Sequence, residues 1–298
     1  MKSVKKKNNI VIEERKNMKK IITEQTIETF REELINAEKG IATIQKYLRD
    51  LKKLENFLKG AEVTKEKMLA YKKMLWDCGE YKISSINSFL VAANRFFKYM
   101  GWYENVVTIY QVQKEIFRSD EKVLTEEEYR KLIEIAEKEG KRNLSMMMQT
   151  LGNTGLRISE LKFITVEAVK QGEVVIYNKG KIRTVLFSNE IRKVLEEYIK
   201  EKKIVSGAIF LSRKGNPVDR SNISKQLKAL AERAGVDKKK VYPHNFRHLF
   251  AHCFYQVCND IIKVAALLGH SDIKTTMNYL KTTKQECREM LDQIRMVC

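Results

Sequence analysis

Leu268-Gly269-His270-Ser271-Asp272, followed by Thr276-Met277-Asn278-Tyr279-Leu280, sets a tyrosine nine residues after a histidine near the end of a 298-residue chain. Ser271 can cap a helix here. That helix would carry Ile273, Met277 and Leu280 on one face, with Tyr279 about 120° away from the stripe. A tyrosine placed only for packing belongs on the stripe, so Tyr279 reads as a displayed side chain, either functional or simply exposed.

Working back along the chain, His244-Asn245-Phe246-Arg247-His248 lies on a second helical pattern. At about 100° per residue, Phe246, Phe250, Cys253 and Val257 group on one side, and His244, Arg247, His248, Ala251 and Tyr255 group on the other. The expectation is one face packed in the core and one presenting His, Arg and His together. His244, His248 and His252 have a spacing that metal sites use. However, the acid of a metalloprotease helix is missing and Arg247 sits in the gap, where its charge opposes a cation. No metal and no cofactor are expected.

A third stretch, Thr154-Gly155-Leu156-Arg157-Ile158-Ser159-Glu160-Leu161, puts Arg157 after Gly152 and Gly155. The glycines read as flexible points that end one helix and start another, which displays Arg157 near a helix N-terminus. Glu160, three residues on, can orient it. The bland reading is a surface Arg–Glu helix pair. Between these motifs, Val174–Tyr177 and Ile182–Phe187 are β-rich runs around Asn178-Lys179-Gly180-Lys181, a hairpin or short meander. A lysine on such a turn can reach a neighbouring groove, and Lys179 and Lys181 are both candidates.

Composition points to a polyanionic partner. Lys and Arg number 57 against 38 Asp and Glu, a formal charge of +19 spread over the whole length. The apolar fraction of 43% and the length suit two folded domains. No apolar stretch approaches the ~20 residues that span a bilayer, and no signal-peptide pattern is present, so a cytoplasmic protein is expected. The five cysteines form no CxxC pair and read as reduced thiols.

The chain divides by pattern. Residues 1–22 are a basic head. Residues 23–110 carry helical periodicity throughout, as in Ile44, Tyr47, Leu48, Leu51, Leu54 and Leu58 or Ile86, Phe89, Leu90, Ala93, Phe96, Phe97 and Met100. Gly60, Gly79 and Gly101 break this stretch into four or so helices of roughly 10 to 18 residues. Residues 111–122 suit a linker. A capping box at Thr125 and Glu128 then opens a second, mainly helical domain, 123–285, with helical patterns at 189–202 and 222–234. Residues 286–298 form a tail, preceded or entered by a helix bearing Met290, Leu291 and Ile294.

Arginine, histidine and tyrosine in this combination suit phosphodiester chemistry. The non-bridging oxygens hold negative charge that grows in the transition state, so fixed cations, a nucleophile and an acid for the leaving alkoxide are needed. Arginine stays charged, and its fork matches two oxygens at once.

Taken together, the motifs at 154–161, 244–248 and 268–280, with the hairpin lysine, resemble the catalytic signature of the tyrosine recombinase (phage integrase) family. The likeness covers about residues 123–285 by motif, and 23–110 only by helical character. Phe246 stands where the family usually has leucine, and Asn178 departs mildly from its Gly-Lys-Gly hairpin.

The resemblance implies a mainly α fold. It consists of a helical, SAM-like core-binding N-terminal domain and a mixed, mostly α catalytic domain with a small β-sheet, closing around duplex DNA as a C-shaped clamp. It implies that Tyr279 attacks the scissile phosphate to give a 3′-phosphotyrosyl link, with Arg157 and Arg247 on the non-bridging oxygens. His244 would assist proton transfer, Lys179 would protonate the leaving 5′-oxygen, and His270 would bond the phosphate. Double-stranded DNA, two sites of it, and a homo- or hetero-tetramer are the implied partners, with the tail docking on a neighbouring subunit and neither a membrane nor a small-molecule substrate involved. Integration, excision and replicon dimer resolution stay open. So do a non-catalytic DNA-bridging protein of the same fold and a type IB topoisomerase-like enzyme.

Overall fold

The computed structural model describes residues 19–111, 123–178, 181–212, 215–270, 272–277, 279–280 and 284–294. The chain falls into two compact units, Met1–Lys114 and Glu115–Cys298. Most of the linker expected at 111–122, most of the basic head and the end of the tail lie outside the described residues. So does Lys179.

In the first unit the described helices are α1 (Glu24–Asn36), α2 (Ile41–Leu58), α3 (Lys65–Asp77) and α4 (Ile83–Met100), followed by a short 3-10 turn at Tyr103–Asn105. Thr23 and Thr64 cap α1 and α3, and Gly101 ends α4 in the left-handed conformation. Their apolar faces meet in an aromatic core. Phe30 packs edge-on to Phe96 at 5.4 Å, and Phe96 edge-on to Trp102 at 5.7 Å.

The helical pattern expected to reach residue 110 stops earlier. Residues 106–111 run without helix over α4, held by two asparagines one heptad apart. Asn94 bonds both the carbonyl (2.7 Å) and the amide (3.0 Å) of Val107, and Asn87 does the same for Tyr110 at 2.8 Å each. These amide side chains satisfy an edge that periodicity cannot register. Several of the basic residues on these helices are tied within the unit: Lys46 bonds Asp50 and Ser88, Lys53 bonds Tyr81, and Lys72 bonds the Thr108 carbonyl.

The second unit opens with α5 (Glu126–Lys138), where Thr125 and Glu128 complete the capping box. There follow α6 (Arg142–Thr154), a 3-10 turn (Ile158–Phe163), α7 (Val166–Gln171), strands β1 (Glu173–Asn178) and β2 (Lys181–Leu186), α8 (Asn189–Glu201), α9 (Arg220–Arg233), α10 (Pro243–Cys258), α11 (Ile261–Leu268), α12 (Ile273–Met277) and α13 (Lys284–Asp292). The strands pair antiparallel with Asn178 opposite Lys181. Val174, Ile176 and Val185 face the core, while Val175, Tyr177, Ile182 and Leu186 face out.

Helix α10 packs against α6 on one side and α11 on the other. This corrects the expectation of a one-faced helix: Phe246 and Arg247 are both fully buried, whereas Val257, assigned to the core face, is 85% exposed in the last turn. A helix held between two neighbours buries its whole girth in the middle and emerges only at its end. Among the described residues, no helix is long and apolar enough to cross a membrane, and no cluster of side chains is suited to hold a metal ion.

Candidate active site

The site is built where two chain reversals meet the start of α10. Helix α6 ends at Thr154 and Gly155 turns the chain with φ +63°, so Arg157 becomes the extended N-cap of the 3-10 turn. A Cβ on Gly155 would lie 2.5 Å from Phe250 and 2.9 Å from Leu268. Both the positive φ and the close approach therefore require glycine. Gly152 does something different from the helix break expected of it: it lies inside α6, where a Cβ would come within 2.9 Å of the Tyr129 ring.

Glu160 is fully buried and fastens Arg157 at two points, accepting from its backbone amide at 2.8 Å and from Nη1 at 3.1 Å. The Arg157 side chain as a whole remains over a third exposed.

The second reversal is at Gly269, which ends α11 in the left-handed conformation and lets the His270 amide bond the Ala265 carbonyl at 2.9 Å. His270 Nδ1 is 2.8 Å from Thr276 Oγ1, and its Nε2 is 2.9 Å from Arg247 Nη2. A guanidinium has only donors, so Nε2 must accept and Nδ1–H donates to Thr276: the ring is neutral and its tautomer is set. Burial, with the charges of Arg247, Arg157, Arg183 and His244, holds the His270 pKa down at about 4.

The third element is the start of α10, where Pro243 occupies the first turn and His244 follows at the exposed rim. Its Nε2 lies 3.0 Å from Tyr279 Oη. Partial burial and the charges of Arg247, Arg157 and Arg220 keep the His244 pKa below its ordinary value, so the ring is neutral near pH 7 and can accept the tyrosine proton.

Tyr279 departs from expectation. Helix α12 is only five residues long, Ile273 and Met277 are 44% and 54% exposed, and Tyr279 follows in a turn with 5% exposure. Its ring packs with Ala251, Val264 and Leu268. The wheel argument fails because so short a helix has no stripe to bury: α10 and α11 cover the tyrosine instead. His248 closes over the ring, with centroids 4.0 Å apart. Only the hydroxyl is aimed at the open rim, toward His244.

Arg247, expected on a presenting face, is fully enclosed. Nη1 donates to the Gly155 carbonyl at 2.5 Å and Nη2 to that of Leu268 at 2.6 Å. Among the described residues no carboxylate pairs with it, and its Nε has no partner. Burial first, then Arg157 and Arg183, bring its pKa down to about 10, which leaves it charged near neutrality. A guanidinium enclosed without a carboxylate favours a negatively charged group beside it.

Sequence reasoning missed two residues here, Thr276 and Arg183. Arg183, on β2, donates to Glu160 Oε2 at 2.7 Å and to the Leu268 carbonyl at 2.8 Å. A signal for it existed: in strict alternation Arg183 falls on the inward face with Val185, opposite Ile176, where a charge demands a buried partner. The site thus gathers Arg157, His244, Arg247, His270 and Tyr279. Lys179 lies outside the described residues.

Residues 122–286 match the phage integrase family. The chain belongs to that family. Similar curated relatives among the tyrosine recombinases include XerD of Staphylococcus saprophyticus, 31% identical over 285 residues, spanning 87% of this chain and 95% of the relative. XerA of Pyrococcus horikoshii is 28% identical over 291 residues, spanning 95% and 98%. Among solved structures, XerH site-specific recombinase bound to its palindromic difH substrate in a post-cleavage complex gives a TM-score of 0.69 at 21% identity, covering 89% of this chain and 83% of that one. A lambda integrase tetramer bound to a Holliday junction gives 0.67 at 20% identity, covering 89% and 79%. These solved structures share the fold.

Proposed function

We propose that this chain is a site-specific DNA recombinase that cuts and rejoins strands through a 3′-phosphotyrosyl link. The observation that carries the reading is the Tyr279 hydroxyl held 3.0 Å from a neutral His244 beside a buried, carboxylate-free Arg247. Three guanidiniums, of Arg157, Arg183 and Arg247, face a single described carboxylate, Glu160, so the site lacks negative charge. A phosphodiester supplies it, and the growing charge of the transition state is met by groups already fixed in place.

In this reading Tyr279 Oη bonds to phosphorus as the bond to the 5′-oxygen breaks. The tyrosine proton passes to His244 Nε2, and Lys179 gives a proton to the departing oxygen. Arg157 and Arg247 bind the non-bridging oxygens. His270 bonds the phosphate once its Nε2 has taken a proton from solvent, which the nearby anion favours. A partner strand's 5′-hydroxyl then attacks the phosphotyrosine, which frees Tyr279 and needs no external energy source.

We assign residues 123–285 to catalysis, 23–110 to duplex binding and 111–122 to the connection between them. The protein acts in the cytoplasm as a tetramer on two DNA sites. Support for association comes from α13 and the residues just after it, where Met290, Leu291 and Ile294 are each more than half exposed and suit docking of the tail on a neighbouring subunit.

The test is a suicide-substrate assay. Nicked duplexes from the gene's own surroundings are incubated with the protein without magnesium and run on a denaturing gel. A protein–DNA adduct that disappears in Tyr279→Phe is the expected result, and an adduct that survives this substitution overturns the assignment of the nucleophile.

A further inference from the structure

Two arginines from different elements donate to one backbone oxygen. Arg183 Nη1 on β2 and Arg247 Nη2 on α10 reach the Leu268 carbonyl at 2.8 and 2.6 Å. The second arm of Arg183 takes Glu160 Oε2 at 2.7 Å, and Glu160 in turn holds Arg157. One planar fork therefore spans the Arg157 turn and the end of α11, immediately before His270.

We propose that Arg183 is a positioning residue of the recombination site: its fork fixes the Arg157–Glu160 turn against the Leu268–His270 turn, so that Arg157, Arg247 and His270 converge on one phosphate. The proposal rests on the recombinase reading above. The placement is costly by itself, since Arg183 is 13% exposed on the apolar inward face of the hairpin, among Val174, Ile176 and Val185. A guanidinium at such a position loses hydration that an aliphatic side chain would never have had. Packing alone would favour the aliphatic residue.

The neighbourhood is shaped around the fork. Gly269 lies against the Arg183 side chain, and a Cβ there would run into it. The acceptor is the carbonyl at the C-terminus of α11, where the helix end carries partial negative charge. The fork geometry matters because a lysine in its place could reach only one of the two acceptors. Strand β2 begins two residues after Lys179 in the sequence, so the same contact ties that strand to the phosphate site.

The chain has four histidines, which makes His270 accessible to proton NMR. The groups acting on it are Arg157, Arg183, Arg247, His244, Tyr279 and Thr276. The experiment compares wild type, Arg183→Met and Arg183→Lys in three readouts: the His270 titration midpoint, duplex affinity, and the rate of adduct formation on saturating nicked duplex. In Arg183→Met the His270 midpoint should rise by roughly half a pH unit or more. Its adduct rate should fall by about tenfold or more with affinity nearly unchanged.

Arg183→Lys, which keeps the charge but not the fork, should fold and show an intermediate rate; it carries the comparison if Arg183→Met fails to fold. A wild-type adduct rate in either folded variant, with only the melting temperature lowered, overturns the proposal and leaves Arg183 a stability residue. If wild type itself forms no adduct, the recombinase reading fails. The His270 midpoint in Arg183→Lys, which keeps the charge and so isolates the fork, then decides whether Arg183 holds the turn, and a wild-type midpoint there rejects it.

Discussion

Tyr279 Oη and His244 Nε2 lie 3.0 Å apart although 35 residues separate them in the chain. The tyrosine ring is buried against α10 and α11 while its hydroxyl meets a histidine at the exposed rim. Burial of the ring limits where the nucleophile can point, and the histidine supplies a neutral acceptor in that direction. Replacing His244 with Gln keeps a hydrogen bond but removes the base. The expected loss is about 10²- to 10³-fold in adduct rate, with duplex affinity unchanged. Single-turnover rates over pH 5 to 9 check this: wild type should lose rate on the acid side as His244 protonates, and His244→Gln should lose that limb.

Tyr279→Phe separates chemistry from stability. The ring keeps its packing while the hydroxyl's bond to His244 and its interaction with Arg247 are lost, so the cost to folding should be about 0.5–1.5 kcal/mol by urea denaturation. Duplex affinity should remain near wild type and fall steeply with added salt, as phosphate contacts release counter-ions. A large loss of stability would mean that the hydroxyl serves the fold first.

Much of this arrangement is legible in the chain because it depends on local rules. Gly155 before Arg157, Glu160 three residues later, and the antiparallel pairing of β1 with β2 each follow from rules that act within a few positions. Tyr279, Arg247 and Arg183 were harder, since what surrounds them comes from distant elements. Helix α12 is too short for periodicity to say which side is buried. The wheel for α10 separates two faces but cannot tell that α6 covers one and α11 the other. The strap at 106–111 is as apolar as the helix before it, with Val107 buried, and the asparagine side chains that hold it extended leave no trace in the periodicity.

The depressed histidines make stability depend on pH in a defined sense. His270 has a folded pKa of about 4 against an ordinary 6.5. Between those values the unfolded chain takes up a proton that the folded chain refuses, so stability is full above about pH 6.5 and falls as pH drops toward 4. With solvent screening at this half-buried ring the loss should be on the order of 1 kcal/mol between pH 7 and 5. Urea unfolding of wild type and His270→Gln at the two pH values measures it, and the variant should show the smaller drop. Bound duplex should reverse the preference, because phosphate favours the protonated ring; affinity should then rise as pH falls from 7 to 5.

Gly155 joins the fold to the site. Its φ of +63° disfavours a side chain, and a Cβ would press on Phe250 at 2.5 Å and on Leu268 at 2.9 Å. Its carbonyl also receives Arg247 Nη1 at 2.5 Å. Relief of the clash must move α10 or α11, and either movement shifts an acceptor of Arg247. Gly155→Ala should therefore cost about 2–4 kcal/mol, from backbone strain and overpacking together. It should also lower the adduct rate beyond what the unfolded fraction explains. Gly207→Ala is the control: it too has positive φ, at +75°, but nothing within 4 Å of the added Cβ. Its cost should be limited to backbone strain, about 1 kcal/mol, with the adduct rate per folded molecule unchanged. Equal losses in the two variants would show that the contacts of Gly155 with Phe250 and Leu268 add nothing to its conformational requirement.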